Sequence, residues 1–331
     1  MDLLPSRDQL DLTATVEHFL DKELPKSVRH SLVDAGTPGG PELWRGAAEL
    51  GMFSLGLPEE AGGSNCPVVE EALVFQVIGR RLAPVNFLAS VLAGRFAHAA
   101  GDGELRDDVT SGAKRVALGL PQAAGDFDVI DLDGAALVVR AGNPAGLFRA
   151  PQEGGAAAEG LDPSVHLTRL SSLAEPVPVP PAARDEIMLL GTLLTAAMLV
   201  GVAEAARDAS VAYAKERVQF GRPIGINQAI KHRCADMTMS AEAAASLLHF
   251  SALAMRDRRS DAEFQVAAAK RIATAAALDN ARANVQIHGG MGYTWEHDAH
   301  LLLTRAHLLD QLSGSVRVQQ GILLHSAPSV P

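Results

Sequence analysis

Cysteine is scarce in this chain: 331 residues hold two, Cys66 and Cys234, far apart in sequence. That excludes a disulfide framework and suits a reducing compartment, read here as the cytoplasm. Basic residues form no cluster, and 29 Lys and Arg against 39 Asp and Glu leave a net charge of −10, so no nucleic-acid partner is expected. The opening residues, MDLLPSRDQLDL, carry acids early and lack a basic segment followed by an apolar one, so no signal peptide is read. The run Ile187 to Ala203 carries no charge, but it is just short of a spanning length and passes straight into Glu204, Arg207 and Asp208 at helical spacing. A central bundle helix, hydrophobic nearly all round, explains it better than a membrane span.

What is present divides the chain in three. Ser6 can cap a first helix with Leu10, Leu12, Val16, Phe19 and Leu20 as its apolar positions. Pro41 fits the first turn of a helix through Leu50, and helical spacing recurs over Val68–Leu82 and Asn86–Ala99. Near Gly112 the texture changes to short apolar runs between Gly, Asp and Pro. Residues 115–120, 129–132, 135–140, 147–150 and 165–170 read as strands of a small sheet, with Gly154–Gly160 as a loop. Pro176–Pro181 is a stiff linker. Beyond it long helices follow over 186–218, 228–258, 262–287 and 296–309, with a last one after Ser315; short connections suggest an antiparallel bundle. The expected organisation is mostly α: an N-terminal helical domain (1–112), a reduced middle β domain (113–181) and a C-terminal helical bundle (182–331).

Two stretches carry chemistry. Tyr213–Gln228, YAKERVQFGRPIGINQ, reads as a helix end, a turn and a new helix start, with Arg217 in the last helical turn and Phe220 three residues on. An arginine so placed suits a phosphate. Val285–Glu296, VQIHGGMGYTWE, ends a later helical run. Its glycines follow a helix rather than a strand, which argues against a dinucleotide loop of the Rossmann kind. Tyr293 and Trp295 read as packing residues at that corner. Glu296-His-Asp-Ala-His300 has a metal-like spacing, but a helix start with alternating polar residues is the commoner reading, and no metal is expected.

Together these stretches resemble the acyl-CoA dehydrogenase family, and Glu49–Gly63, ELGMFSLGLPEEAGG, resembles that family's N-terminal signature. The resemblance implies α,β-dehydrogenation of an acyl-CoA thioester with FAD as cofactor. It also implies that Arg217, Phe220, Gln228, Gln286, Gly289 and Gly290 close over the ADP half of a FAD whose flavin ring lies in a neighbouring subunit. The family reaction needs a base near the acyl α-carbon, normally a glutamate at one of two positions. Ser313 occupies one and Gly191 the other, and neither is a base at neutral pH. Glu186 and Asp310 are the nearest acids to those positions. Where the family has a hydroxyl-rich turn at the flavin ring, Val116–Asp126 has no Ser or Thr, and Gln122 stands near the usual acid.

The resemblance therefore implies a non-catalytic subunit that lends the ADP clamp to a paralogous acyl-CoA dehydrogenase subunit in a two-plus-two hetero-oligomer. Relatives of that kind act on bulky acyl-CoA substrates such as steroid side-chain thioesters. Two alternatives stay open: a homo-oligomeric catalytic dehydrogenase with a displaced base, and a flavin-free scaffold that kept the fold.

Overall fold

The computed structural model describes residues 4–35, 39–121, 126–141, 145–151 and 154–327. The chain opens with helices α1 (Arg7–Glu23), α2 (Lys26–Ala35), α3 (Pro41–Glu49), α4 (Val68–Arg80), α5 (Asn86–Ala99) and α6 (Gly103–Thr110). Ser6 starts α1 through a reciprocal cap: its hydroxyl accepts from the Gln9 N–H, and its own N–H donates to the Gln9 side chain at 2.9 Å. Helix α6 was not anticipated. It starts on Asp102, whose carboxylate accepts the Leu105 N–H at 3.0 Å, and it is too short for a full apolar period to show in the sequence.

A six-stranded mixed sheet follows, in the order β4-β3-β1-β2-β6-β5. Its strands are β1 (Val116–Pro121), β2 (Phe127–Ile130), β3 (Leu137–Arg140), β4 (Gly146–Arg149), β5 (Ala156–Ala158) and β6 (Leu167–Leu170). Strand β5 corrects the loop expected over 154–160. Three small alanines show no alternation of apolar and polar residues, and the strand exists through backbone pairing to β6 at the sheet edge. Strands β1 and β3 run parallel; the other pairs run antiparallel. Successive residues alternate across the sheet. Val116, Leu118, Ile130, Leu137 and Val139 join the main core, while Ala117, Phe127, Val129 and Val138 form a smaller one on the other face. Asn86, the first residue of α5, donates to Val116 O at 3.0 Å and fastens that helix to the sheet.

The C-terminal part is α7 (Pro181–Glu216), α8 (Gln228–Arg256), α9 (Ala262–His288), α10 (Ala299–Gln311) and α11 (Val316–His325). Helix α7 is the axis of the fold. It packs against α4, α5, α8, α9 and α10, which accounts for its nearly uniform apolar surface. Among the described residues it is the one helix long and apolar enough to cross a membrane, and 78% of its most apolar window is buried inside the protein. At the α4–α7 crossing two glycines face the opposite backbone. A Cβ on Gly79 would lie 2.0 Å from Met198 O, and one on Gly201 2.0 Å from Gln76 O, so the helices meet backbone to backbone. Asn280 on α9 donates to Ala203 O on α7 (3.1 Å) and Met237 O on α8 (2.9 Å), tying three bundle helices together.

A single guanidinium joins the N-terminal helices, the sheet and the bundle. Arg305, buried on α10, donates to Asp162 Oδ2 at 2.7 Å, Ser164 Oγ at 2.7 Å and Ala83 O at 2.8 Å. Nearby, Asp131 accepts the His166 N–H at 2.9 Å. Burial raises the Asp131 carboxyl to about 6, against the pull of the His166 hydrogen bond and of Arg115 and Arg305.

Candidate functional site

Helix α7 stops at Glu216. The Arg217 N–H still reaches Tyr213 O at 2.8 Å, but Arg217 itself is extended (φ −68°, ψ 117°), one step beyond the helical turn expected for it. The extended backbone leads into a hairpin of β7 (Val218–Gln219) and β8 (Arg222–Pro223). Its two turn residues, Phe220 (φ 51°) and Gly221 (φ 76°), are both left-handed, as a two-residue hairpin of primed type requires. For a bulky residue that backbone is unfavourable. It raises the Phe220 ring clear of the chain, where it is 100% exposed. Ile224 N–H returns to Arg217 O at 2.8 Å. A Cβ on Gly225 would stand 2.8 Å from Ala214 O, so only glycine lets the chain fold back onto α7 before Gln228 opens α8.

The second stretch begins at the end of α9. Gly289 takes φ 60° with ψ −139°, a combination open to glycine, and residues 289–293 form a short 3-10 turn. A Cβ on Gly289 or Gly290 would meet nothing, so that backbone faces open space. Arg217, Phe220, Gln228, Gln286, Gly289 and Gly290 are all exposed. Arg217 has no side-chain partner among the described residues. A free guanidinium, a presented aromatic ring and an accessible glycine backbone fit the phosphates and adenine of a dinucleotide.

The two stretches meet through their supports. One turn before Arg217, the Tyr213 ring lies 4.2 Å from that of His288, and the Tyr213 hydroxyl faces Met291 Sδ at 3.8 Å. His288 in turn lies 4.3 Å from His297. Tyr293 and Trp295, read from the sequence as packing residues, are instead 77% and 49% exposed. The 3-10 turn carries them outward, and Trp295 stacks on His300 at 5.2 Å. Helix α10 starts at Ala299, three residues later than the spacing suggests. Asp298 is taken by Arg29 (2.8 Å) and His30 (2.6 Å). Among the described residues no three ligating side chains are placed to hold a metal.

Gly191 and Ser313, 122 positions apart in the chain, come together in the bundle. A Cβ built on Gly191 would lie 3.0 Å from Leu92 Cδ1 and 3.8 Å from Ser313 Oγ. Ser313 Oγ is 3.1 Å from Thr195 Oγ1, and Thr195 donates to Gly191 O at 2.7 Å. Since the one Thr195 proton goes to that carbonyl, Ser313 is the donor within the pair and presents only lone pairs beyond it. The loop is held from several sides. Gln319 donates to Ser313 O (2.9 Å) and Gly314 O (3.3 Å), and Lys270 Nζ to Leu309 O (2.8 Å) and Asp310 O (3.2 Å). Burial lowers the Lys270 ammonium to about 7, with Asp310 opposing. Lys270, Thr195 and Gln319 were not singled out from the sequence. The Lys270-Arg271 pair inside the alanine-rich run of α9 was the available signal.

Of the two acids nearest these positions, Asp310 is engaged by the backbone and Glu186 is exposed. Asp310 accepts Val316 N–H at 3.2 Å, at the start of α11, and Gln311 Nε2 at 2.9 Å. Glu186 lines a separate cleft of about 530 Å³ with Ile187, Leu190, Met255 and the buried Glu71–Arg95 pair, whose contact is 2.6 Å. Of the stretch Val116–Asp126 in which the flavin-ring turn was sought, Val116–Pro121 is strand β1, while Gln122 and the rest of 122–125 lie outside the described residues.

Comparison with known proteins follows the same lines. The acyl-CoA dehydrogenase N-terminal domain matches residues 6–111, and the acyl-CoA dehydrogenase C-terminal domain matches residues 185–327. Acyl-CoA dehydrogenase IpdE2 of Mycobacterium tuberculosis is 34% identical over 323 residues, 95% of this chain and 96% of that protein. Among solved structures, a chain of the ChsE4-ChsE5 complex from Mycobacterium tuberculosis superimposes with TM-score 0.83 at 22% identity, over 100% of both chains. A chain from a variant of the Tcur3481-Tcur3483 steroid ACAD does so with TM-score 0.82 at 22% identity, over 96% of this chain and 97% of that one. At that identity the structural likeness speaks for the fold.

Proposed function

The chain belongs to the acyl-CoA dehydrogenase family, and we propose that within it this protein is a base-free subunit lending an ADP clamp to the FAD site of a catalytic paralogue. The observation that carries this reading is the meeting of Gly191 and Ser313. The two positions read from the resemblance as those of the family's glutamate lie together, and between them stands a serine hydroxyl bonded to Thr195, which supports this reading. A hydroxyl cannot take the α-proton of a thioester without a base beside it, and glycine offers no group.

FAD, when bound, supplies the hydride acceptor for the β-hydrogen. This chain's part is to hold it. Arg217 would pair with the pyrophosphate, Phe220 would cover the adenine end, and the open backbone at Gly289 and Gly290 would allow close approach, with Gln228 and Gln286 as polar contacts. The proton abstraction, the ring pocket and most of the acyl-CoA site fall to the partner. Structural neighbours include a chain of the ChsE4-ChsE5 complex and one of the Tcur3481-Tcur3483 steroid ACAD, which supports a hetero-oligomer acting on a bulky acyl-CoA, a steroid side-chain thioester among the candidates.

The test is to purify the chain alone and co-expressed with acyl-CoA dehydrogenase paralogues, and to read flavin content and anaerobic bleaching by acyl-CoA. The expected result is little flavin in the chain alone, a flavin-loaded active complex with one paralogue, and turnover within a few-fold of the parent after Glu186→Gln or Asp310→Asn in this chain. Stoichiometric flavin and activity in the chain alone would make it a homo-oligomeric dehydrogenase. A roughly hundredfold loss from either acid variant, with flavin and assembly intact, would place the base here, since removing a general base costs about that much. Colourless protein in every combination would leave a scaffold.

A further inference from the structure

The two clamp stretches are joined by His288, a residue of the second stretch that has so far been given no part in the clamp. His288 is the last residue of α9, directly before Gly289, and it is buried. Its ring lies between Tyr213, one turn before Arg217, and His297, with centroids at 4.2 and 4.3 Å. The spacing between the end of α7 and the glycine turn therefore passes through this imidazole. We propose that His288 is a positioning residue for the clamp: as a neutral ring wedged between Tyr213 and His297 it sets the distance between Arg217 and the Gly289–Gly290 backbone, and a proton on it loosens that arrangement. This rests on the reading of these stretches as an FAD clamp.

The hydrogen bonds fix where protons can go. His288 Nδ1 stands 2.8 Å from Asn284 O, a carbonyl that can only accept, so Nδ1 carries the hydrogen and Nε2 is the free site. His297 Nδ1 accepts the Ala299 N–H at 3.1 Å, so its neutral ring carries hydrogen on Nε2. A second proton on His297 would land on Nδ1 and displace the bond that starts α10.

The neighbours disfavour either proton. Around the stack stand Tyr213 from α7, Asn284 from α9 itself, Met291 from the 3-10 turn, His297 and Asp298 from the segment entering α10, His300 from α10, and Lys26 from α2. Burial lowers the His288 pKa against the pull of the Asn284 carbonyl. Burial lowers that of His297 too, helped by His288, Lys26 and His300, and opposed by Asp298. Asp298 is itself engaged by Arg29 and His30. The face of the Tyr213 ring favours a cation, and desolvation outweighs it. Acid would thus place a positive charge in a half-buried stack with a second imidazole and an ammonium close by.

The test compares FAD affinity of the co-expressed complex at pH 7.5 and pH 5 for the parent and for His288→Phe, His288→Ala and Arg217→Ala, with the His288 ring titrated by NMR. The parent should bind more weakly at pH 5 than at pH 7.5, the loss following the neutral fraction of the His288 ring as the NMR titration reads it. His288→Phe keeps an aromatic wedge that cannot titrate, and its affinity should change less than about twofold over the same range. His288→Ala should be weak at both values. A His288→Phe complex that loses FAD with acid as the parent does, or a His288→Ala complex that binds as the parent does at pH 7.5, overturns the proposal. Arg217→Ala separates the two readings. If it leaves FAD bound, the clamp reading falls and the role of His288 falls with it. If it releases FAD while His288→Phe titrates like the parent, the clamp stands and the role of His288 falls.

Discussion

Replacing Arg305 with methionine should separate the three parts of the molecule energetically. The change deletes a guanidinium that donates to Asp162 Oδ2, Ser164 Oγ and Ala83 O at 2.7–2.8 Å, in a site where the arginine and aspartate side chains are 4% and 1% exposed. Methionine fills much of the volume, so the loss is electrostatic. Asp162 keeps the Ser164 N–H at 3.0 Å but loses its counter-charge, and Ala83 O loses a donor. Breaking a buried pair from one side costs about 3–5 kcal/mol, and the orphaned carbonyl lies within that range rather than on top of it. The expected loss is about 4 kcal/mol. Adding Asp162→Asn removes the uncompensated charge and should recover about 2 kcal/mol. Urea unfolding suits the measurement, provided far-UV circular dichroism and fluorescence of Trp44, buried against Phe87 in the N-terminal helices, report coincident transitions. A loss within about 1 kcal/mol for Arg305→Met would refute the reasoning, because that is the scale of an exposed ion pair.

Other expectations concern the clamp, the sheet and the helix crossing. Arg217→Lys should weaken FAD retention in the assembled complex and Arg217→Ala more so, by about tenfold or more, since a charge-assisted contact contributes about 1.5–3 kcal/mol; unchanged flavin in both would make Arg217 a surface residue. Asp131 holds its proton up to about 6 in the folded chain, against 3.8 for an unperturbed aspartate, so the folded state binds the extra proton between those values and stability falls as pH rises through them. Asp131→Asn, which still accepts from His166 and tolerates the left-handed backbone, should therefore stabilise by up to about 3 kcal/mol above pH 6 and by nothing near pH 3.5, as read by melting at both values. Gly201→Ala drives a methyl into Gln76 O and should cost at least about 1–3 kcal/mol, whereas Gly290→Ala, which meets nothing, should leave the melting temperature within a few degrees of the parent.

Much of the fold is legible because its causes are local. The capping pair at Ser6 and Gln9 lies within one turn, and Asn86–Ala99 is a helix in sequence and structure alike because its polar start and its apolar run fall within fourteen residues. The uncharged run of α7 announces a helix surrounded on all sides, and the turn at Phe220 and Gly221 follows from a helix end beside a glycine and a proline, although its pairing into the β7–β8 hairpin was not read. Strand β5 and helix α6 escaped because one is made by backbone pairing to a distant strand and the other is shorter than the period that would reveal it. The residue types at 191 and 313 could be read from the sequence. That they share one site with Thr195 required α7 and α10 to pack, since a contact across 122 positions leaves no periodic trace. Exposure of Tyr293 and Trp295, the three-way bond of Arg305 and the wedge of His288 were likewise decided by the tertiary fold. Desolvation and charge pairing depend on what surrounds a side chain in space, while helical period, caps and turns depend on the few residues beside it in the chain.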